Sequence, residues 1–543
     1  MTYDLALTGG SIADVDAGTV RRAALGITAG RIAALGADDA IAAGARRVLD
    51  VTGRVLVPGY IEPHTHIVLA APWEFASAVL PTGTTTAVVD ALPLMSLGRP
   101  DRLPDLLEHL AGMPMKIRWL VRLHPQAFGD DHRFALPAVR TLWRLPSAAA
   151  VGEVTRWTDV LLGDADLREK MAAAAADGKR VEGHTAGASF ERLVGLRRAG
   201  FTSCHEAVTA READDRLRAG LRVMLRHSSI RPDLPQLLDA VLDRPEQQAE
   251  VMLTLDGPTP SFIDRHGYLD HLMRLALDKG VSPMSVLRMV TRTPAEYFGL
   301  HDAGTLAKGS RADVNVLASL DDPRPLLVIA GGRLVAENGR LVDPPAPLPF
   351  QEMLERPALP RLAPGMLVGD RSGPGLRLVN DVITEMVPGG EEAVDAMHVA
   401  LIGRSGRWIT RSRLVGFATR LGGLATSFTS GFDIAVLGQD PEDMELALRL
   451  LADDGGGFVM VENGQVLFRL AFDLGVWCSR PWAEVVAANR RFAALLAERG
   501  YRFRDPIYSL LFLTFDSLPW IRLTSRGVWD VRSRSVLAPA HAL

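Results

Sequence analysis

Between residues 54 and 302, helical patterns alternate with short apolar segments, and this alternation limits the folds open to the chain. In the last of these helical patterns, Ser282 and Pro283 supply an N-cap and a first turn. Helix–strand alternation over this length predicts an α/β chain with a (β/α)8 TIM-like barrel. The clearest helical patterns occupy residues 164–180, 189–200, 209–220, 267–280 and 282–300.

The regions on either side of the predicted barrel differ from it in hydrophobic pattern and composition. Residues 1–53 and 303–345 have short alternating apolar runs with turn glycines, so we expect them to form one small β domain built from both sides of the barrel. The sequence does not show whether the two segments pair. A proline-rich stretch at 346–365 is typical of a linker, and 366–543 is predicted to be a separate C-terminal α/β domain.

Composition narrows the classes of function. The 543 residues carry a formal net charge of −4, and 48% of them are hydrophobic, which is typical of a soluble protein. Without a basic excess, a nucleic-acid partner is not expected. The opening MTYDLALTGG has no signal-peptide pattern, no apolar run has membrane-spanning length, and two cysteines supply no disulfide framework. We therefore expect a cytoplasmic protein that acts on a small molecule and has no membrane partner.

Two histidines lie two positions apart in the apolar stretch GYIEPHTHIVLA, residues 59–70. Because successive strand residues face opposite sides, His64 and His66 face one point and could bind one metal ion. A chance pair of histidines in a polar loop is the alternative. Val68 alternates onto the same face and has no ligand atom, so its place there needs an explanation.

Each later apolar segment also carries a candidate ligand near its end: Glu153, His184, His205 and Asp256. Each has an ordinary alternative, since a lone carboxylate is usually solvated and a histidine or aspartate beside glycine often fills a turn. In a parallel barrel, however, the carboxyl ends of the strands meet at one mouth. The four residues and the two histidines of the first strand would then form one cluster.

The residue types in this cluster suit metal-dependent hydrolysis. Neutral imidazole and carboxylate bind Zn²⁺, Fe²⁺ or Mn²⁺, and a carboxylate can bridge two ions. Such ions lower the pKa of a bound water toward neutrality, and a second carboxylate can pass a proton to a leaving amine. Divalent metal ions, and carboxylates that bridge them or transfer protons, are therefore expected at this cluster.

The chain resembles the bacterial adenine deaminases of the amidohydrolase superfamily in several sequence blocks, which occur in the same order along the chain. The blocks include PGYIEPHTHI, GEVT, GHTAG, CHEAVTAREADDRLRAGLRVMLRHSS and RDPIYSLLFLTFDSLPWIRLTSRGVWDV. The resemblance implies a barrel, a flanking β domain, a C-terminal domain peculiar to this branch and a homo-oligomer, at least a dimer. It also implies two divalent ions with ligands at His64, His66, Glu153, His184 and His205, with Glu153 bridging. Asp256 and Glu153 would be the catalytic carboxylates, with Asp256 near or on a metal.

The chain departs from that family at several polar positions. Val68 replaces an acid, and Asp90-Ala91-Leu92-Pro93 stands where the family has Asp-Pro-His-Glu. The histidine- and asparagine-bearing run of the C-terminal domain is replaced by TSGFD at 429–433, and an Arg-His-Gly block is changed within 402–408. These changes predict an altered, more apolar substrate pocket that includes Val68, Leu92, Glu206, His227 and Phe432.

We therefore expect a metal-dependent hydrolase that attacks a C–N bond of a planar N-heterocycle or cyclic amide by means of a metal-bound hydroxide, with a substrate other than adenine. A genuine adenine deaminase is the first alternative. A descendant that binds a metal or ligand without turnover is the alternative from another class, although the six core residues argue against it. Glu206 and His227 are the next candidates for the base if Asp256 is not.

Overall fold

Eight parallel strands form the central sheet of the computed structural model, which describes residues 2–129, 131–357, 361–370, 372–390 and 393–543. The strands pair in chain order, and Thr65 bridges Asp256 between the last strand and the first, so the sheet is a nearly closed barrel. The predicted (β/α)8 barrel is confirmed. Its strands are Tyr60–Thr65 (β1), Thr84–Asp90 (β2), Lys116–Val121 (β3), Ala148–Val154 (β4), Arg180–Gly183 (β5), Ser203–Cys204 (β6), Arg222–Arg226 (β7) and Val251–Thr254 (β8).

Helices of the barrel region pack around these strands. Ser282 accepts a hydrogen bond from the backbone N–H of Ser285, so the predicted N-cap is present. The barrel wall is largely apolar because its strands are rich in alanine, valine and leucine, and these side chains are buried. The helices are Pro72–Val79, Leu92–Leu97, Leu103–Ala111, Leu136–Trp143, Trp157–Leu162, Ala165–Ala176, Phe190–Arg198, Ala210–Arg218, Leu234–Leu237, Pro245–Gln248, Pro260–His266, Leu269–Asp278, Pro283–Met289 and Arg292–Phe298.

Two mixed sheets, in which most strand pairs are antiparallel, lie beside the barrel. Val55–Pro58, just before β1, pairs with Val314–Leu317, which follows the last barrel helix, so segments from both sides of the barrel share one sheet. That sheet contains Ser11–Asp14, Thr19–Arg22, Val55–Pro58, Val314–Leu317, Leu327–Ala330, Arg333–Glu337 and Arg340–Leu341. The other contains Leu5–Thr8, Ala24–Thr28, Arg31–Gly36 and Val48–Asp50, with the helix Asp38–Ala42 beside it.

The C-terminal region is a second α/β unit. Of the predicted linker, residues 358–360 lie outside the described residues, and the domain limits given above stay predictions. The largest sheet contains Gly375–Leu378, Thr384–Val387, Met397–Ile402, Trp408–Val415, Gly423–Thr426, Ile434–Gly438, Gly457–Glu462, Gln465–Ala471 and His541–Ala542. A smaller sheet contains Ile521–Thr524, Gly527–Asp530 and Ser535–Pro539, and the helices are Pro441–Asp454, Trp482–Ala497 and Pro506–Phe512.

The C-terminal unit docks on the segment that directly follows the His-x-His pair. Leu69–Ala70 pairs in parallel with Trp477–Cys478, and the Trp477 indole N–H donates to the carbonyl of Ile67 at 2.9 Å. This contact joins the mouth of the barrel to the C-terminal unit. Within the described part of the chain, no helix is both long and apolar enough for a membrane span.

Replacement of Trp477 should loosen this contact. Trp477→Ala removes the hydrogen bond to Ile67 and leaves a cavity, because the Trp477 side chain is only 2% exposed. Such a loss lowers the free energy of unfolding by about 3–5 kcal/mol. We expect a clearly lower midpoint of thermal unfolding, measured by circular dichroism. Trp520→Ala is the matched control, because Trp520 is 43% exposed and its loss should change the midpoint little. Equal shifts for the two variants would contradict this role of Trp477.

Candidate metal centre

The mouth of the barrel gathers the six predicted core residues. His64 and Glu153 lie near the ends of β1 and β4, while the other four follow the ends of β1, β5, β6 and β8 by one or two residues. Parallel strands bring their carboxyl ends together, which is why residues up to 192 positions apart in the chain are neighbours here. The other four are His66, His184, His205 and Asp256.

One half of the cluster contains His64, His66 and Asp256. The Nε2 atoms of His64 and His66 face each other at 3.3 Å. Asp256 Oδ1 lies 3.3 Å from both of these nitrogens. Asp256 has a left-handed backbone, with φ of 61°, and its carbonyl accepts hydrogen bonds from the N–H of His66 and the hydroxyl of Thr65. The turn that follows β8 is thereby fixed against β1.

The other half contains Glu153, His184 and His205. Glu153 Oε1 contacts His184 Nδ1 and lies 3.3 Å from His205 Nε2. The second oxygen, Oε2, is 3.9 Å from His66 Nε2, so Glu153 stands between the two halves. The rings of His64 and His205 stack with centroids 4.2 Å apart, which closes the cluster on its buried side.

A surrounding set of charged side chains was not predicted from the sequence. Arg122, after β3, donates to Asp90 through Nε at 2.9 Å and Nη2 at 2.7 Å, and to Glu153 Oε2 at 2.6 Å. Glu182 Oε1 is 3.0 Å from Nδ1 of both His64 and His205. These groups hold the rings and the Glu153 carboxylate in place.

Strand alternation could have identified part of this set. Glu62 precedes His64 by two residues, and Glu182 precedes His184 by two residues, so each shares a strand face with a predicted ligand. The Glu62 carboxylate accepts from the backbone N–H of His64 and from the Thr254 hydroxyl, the latter at 2.6 Å. No comparable pattern marks Arg122, because it is one arginine among many.

The carboxylates create a strongly negative environment for the imidazoles. Burial disfavours the charged form of His66, but hydrogen bonds and charges from Asp256 and Asp90 raise its pKa to about 9. Burial would raise the pKa of Glu153, but the charges of His184 and Arg122 hold it well below its usual range. The pKa of Asp256 is likewise lowered despite burial, by hydrogen bonds from His64 and His66 and by Arg226. The cluster therefore attracts cations.

The donor set fits divalent metal ions. The buried atom His184 Nε2 has no hydrogen-bond partner among the described residues, and His205 Nε2 faces Glu153 Oε1 at 3.3 Å without a hydrogen bond. Imidazole and carboxylate are the ligands that Zn²⁺, Fe²⁺ and Mn²⁺ take in proteins. Three groups have potential ligand atoms within 4.8 Å of one another: His64, His205 and Asp256; His64, His66 and Glu153; and Glu153, His184 and His205.

A cavity opens from this cluster toward the C-terminal unit. Val68, Leu92, Glu206 and Phe432, which the sequence analysis assigned to a pocket, lie in its wall. Polar side chains also line the cavity, among them Gln126, Ser228, Thr429 and Ser430. The apolar part of the wall comes largely from the C-terminal unit. It includes Pro93, Phe428, Val476, Leu511, Phe512, Phe515 and Leu518.

His227 lies elsewhere, and the prediction that it lines the pocket is wrong. Among the described residues it does not line the cavity, and its ring stands 5.5 Å from His271 and 6.2 Å from Phe262. Arg226, its neighbour at the end of β7, faces the cavity, so alternation turns His227 to the other side. Burial, together with the charges of His271 and His266, lowers the pKa of His227 to about 4.

Cys204 is buried beside His205 and does not line the cavity among the described residues. Its sulfur lies 2.9 Å from the Thr185 hydroxyl and 3.4 Å from Arg216 Nε. The thiol therefore packs behind the cluster.

Two family models match the chain. Residues 55–335 match the amidohydrolase family, and residues 379–535 match the adenine deaminase C-terminal domain. A protein of Halalkalibacterium halodurans named "Putative adenine deaminase BH0637" is 35% identical over 512 residues, which are 91% of this chain and 87% of that protein.

Two relatives carry the name "Adenine deaminase". That of Cereibacter sphaeroides is 32% identical over 515 residues, 91% of this chain and 90% of the relative. That of Moorella thermoacetica is 30% identical over 560 residues, covering 97% of this chain and 94% of the relative. The chain therefore belongs to the amidohydrolase family, in the branch that carries the adenine deaminase C-terminal domain.

Proposed function

We propose that this protein is a metal-dependent hydrolase of a C–N bond in a planar N-heterocycle or cyclic amide, and that its substrate is not adenine. One observation carries the proposal: a cluster of imidazoles and carboxylates suited to metal ions opens into a cavity with mainly apolar walls. Relatives named adenine deaminase support hydrolysis of a C–N bond. The proposed enzyme acts as a cytoplasmic homodimer, as the sequence analysis predicts.

The arrangement favours two divalent ions that share Glu153. Its carboxylate belongs both to the group with His64 and His66 and to the group with His184 and His205. Buried carboxylates outnumber buried guanidinium groups around the cluster, so two divalent cations would balance the charge. When bound, such ions supply a hydrolytic nucleophile at neutral pH and polarise the bond that is attacked.

Asp256 is the proposed proton carrier. Its Oδ2 accepts a hydrogen bond from Arg226 Nη1 at 2.8 Å, and its Oδ1 faces His64 and His66. The carboxylate lines the cavity and can therefore reach a bound ring. It would take a proton and deliver it to the departing nitrogen, while Arg226 keeps the carboxylate oriented.

The cavity walls argue against adenine as the substrate. Adenine carries an exocyclic amine and several ring nitrogens, which need polar partners when they are buried. Val68, Leu92 and Phe432 offer none, and the resemblance described above implies polar groups at these places in the adenine deaminases. A larger or more apolar ring suits these walls better. Adenine deamination stays the alternative, since relatives bear that name.

Metal content separates the enzyme from a non-catalytic descendant. We expect the purified protein to hold about two equivalents of divalent metal, measured by mass spectrometry, and His66→Ala to hold less because a ligand is lost. His301→Ala is the matched control, because His301 is exposed. Well under one equivalent in the wild type, with no activation by added Zn²⁺, Mn²⁺ or Fe²⁺, would favour the binding protein.

Asp256→Asn tests proton transfer. The amide keeps the size of the side chain but cannot carry the proton, so kcat should fall by about 10²–10⁴-fold while metal content changes little. Turnover of the best substrate from a panel of aminopurines, pterins and cyclic amides is the measurement. Asp264→Asn, at a surface ion pair with Arg490, should leave turnover unchanged. Full activity of the Asp256 variant would place the base elsewhere, with Glu206 the next candidate.

Adenine itself should be a poor substrate. We expect kcat/KM for adenine deamination below about 10⁴ M⁻¹s⁻¹, the low end for a well-matched enzyme and substrate. The measurement is steady-state ammonia release with enzyme reconstituted separately with Zn²⁺, Mn²⁺ and Fe²⁺. A higher kcat/KM with any of these ions would contradict the proposal and indicate that the protein is an adenine deaminase.

A further inference from the structure

One arginine in the cavity wall has an unused binding edge. Arg226 is 3% exposed, and its Nη1 donates to both Glu206 and Asp256. Its Nε and Nη2 are buried and have no hydrogen-bond partner among the described residues. Buried N–H groups without an acceptor are costly, so the edge formed by these two atoms calls for a partner.

Other arginines of the chain show what this edge binds. Arg122 holds Asp90 through Nε at 2.9 Å and Nη2 at 2.7 Å. Arg140 holds Asp177 through the same two atoms at 3.0 and 3.1 Å. In each pair, two parallel N–H groups meet two coplanar acceptor oxygens. The same edge of Arg226 is therefore shaped for two coplanar acceptors on one carbon.

The position of Arg226 links this edge to the reaction. Its guanidinium touches the proposed proton carrier Asp256 and lines the cavity beside it. The carboxylates of Glu206 and Asp256 both bind Nη1, which leaves the Nε/Nη2 edge for a ligand. The basic side chain of Arg231 also lines the cavity, and its Nη2 is likewise buried without a partner among the described residues.

We propose that Arg226 binds the substrate through this edge and that the substrate presents two coplanar acceptors there, as in the carbonyl oxygen and the adjacent unprotonated ring nitrogen of an oxo-heterocycle, or in a ring carboxylate. This inference rests on the proposed function and names its substrate class. An amino-substituted ring places an N–H donor beside its ring nitrogen, so it offers this edge one acceptor in place of two and is disfavoured. Arg226 is thus a specificity-determining residue of the cavity.

Equilibrium binding to the metal-loaded protein tests the proposal. The probes are 2(1H)-pyrimidinone, whose carbonyl oxygen and unprotonated ring nitrogen share one carbon, benzoate, which carries a carboxylate, and 2-aminopyrimidine, which has an amine in place of the carbonyl oxygen on a ring of the same size. We expect 2(1H)-pyrimidinone or benzoate to bind more tightly than 2-aminopyrimidine in isothermal titration calorimetry. The stronger of the two identifies the neutral or the charged form of the acceptor pair.

Variants assign the binding to Arg226. Arg226→Lys keeps the charge but loses the paired N–H edge, and Arg226→Gln loses both, so each should weaken the better probe by about ten- to a hundredfold. The binding of 2-aminopyrimidine should change little. Arg140→Lys is the matched control, since it removes the same kind of edge outside the cavity and should leave all three affinities unchanged.

Two results would overturn the proposal. The first is 2-aminopyrimidine binding to the wild type as tightly as, or more tightly than, both oxygen-bearing probes, a result that needs no variant. The second is an unchanged affinity for the better probe in Arg226→Lys at wild-type metal content. Binding does not depend on hydrolysis, so the expected affinities without turnover of any C–N substrate would contradict the proposed function alone.

Discussion

The carboxylate of Glu153 is the point on which the rest of the site depends. It is buried between Arg122 on one side and His184 and His205 on the other. An ionised carboxylate at this depth is stable only with such partners, because burial alone favours its neutral form. Arg122 in turn holds Asp90, so strands β2, β3 and β4 are joined through charge as well as through backbone hydrogen bonds. Loss of any member would leave an unpaired buried charge, which is more costly than the pair itself is stabilising.

The C-terminal unit completes the site that the barrel begins. The Tyr508 hydroxyl donates to the carbonyl of Gly257, next to Asp256, and Trp477 holds the segment after His66. The first contact fixes the turn that carries the proposed proton carrier, and the second fixes the backbone that places Val68 in the wall. A barrel without this unit would lack most of its apolar cavity wall. The two units therefore act as one structure at the mouth.

The fold and the central cluster could be predicted from local patterns in the sequence. The charged side chains around the cluster could not. Helix–strand alternation and strand-end histidines are local signals, and parallel strands translate them into one site. Arg122, Asp90 and Arg226 act through pairs that span different strands, and a single sequence contains no signal for such pairing. The wrong prediction for His227 has a related origin. The exact end of β7 decides whether Arg226 or His227 faces the cavity, and strand ends are the least certain feature of a prediction.

Four of the residues at which the chain departs from the family, Val68, Leu92, Pro93 and Phe432, lie in the cavity wall, and the charged network is spared. Asp90 begins the altered run at 90–93, and it still accepts hydrogen bonds from Arg122 and from the backbone N–H of Leu92. The next position but one, Leu92, lies in the wall and has no polar group to offer a ligand. Residues that hold charge in place are thus kept beside residues whose polarity has changed. Hydrolysis depends on the first kind and recognition on the second, so this pattern favours a retained reaction with an altered substrate.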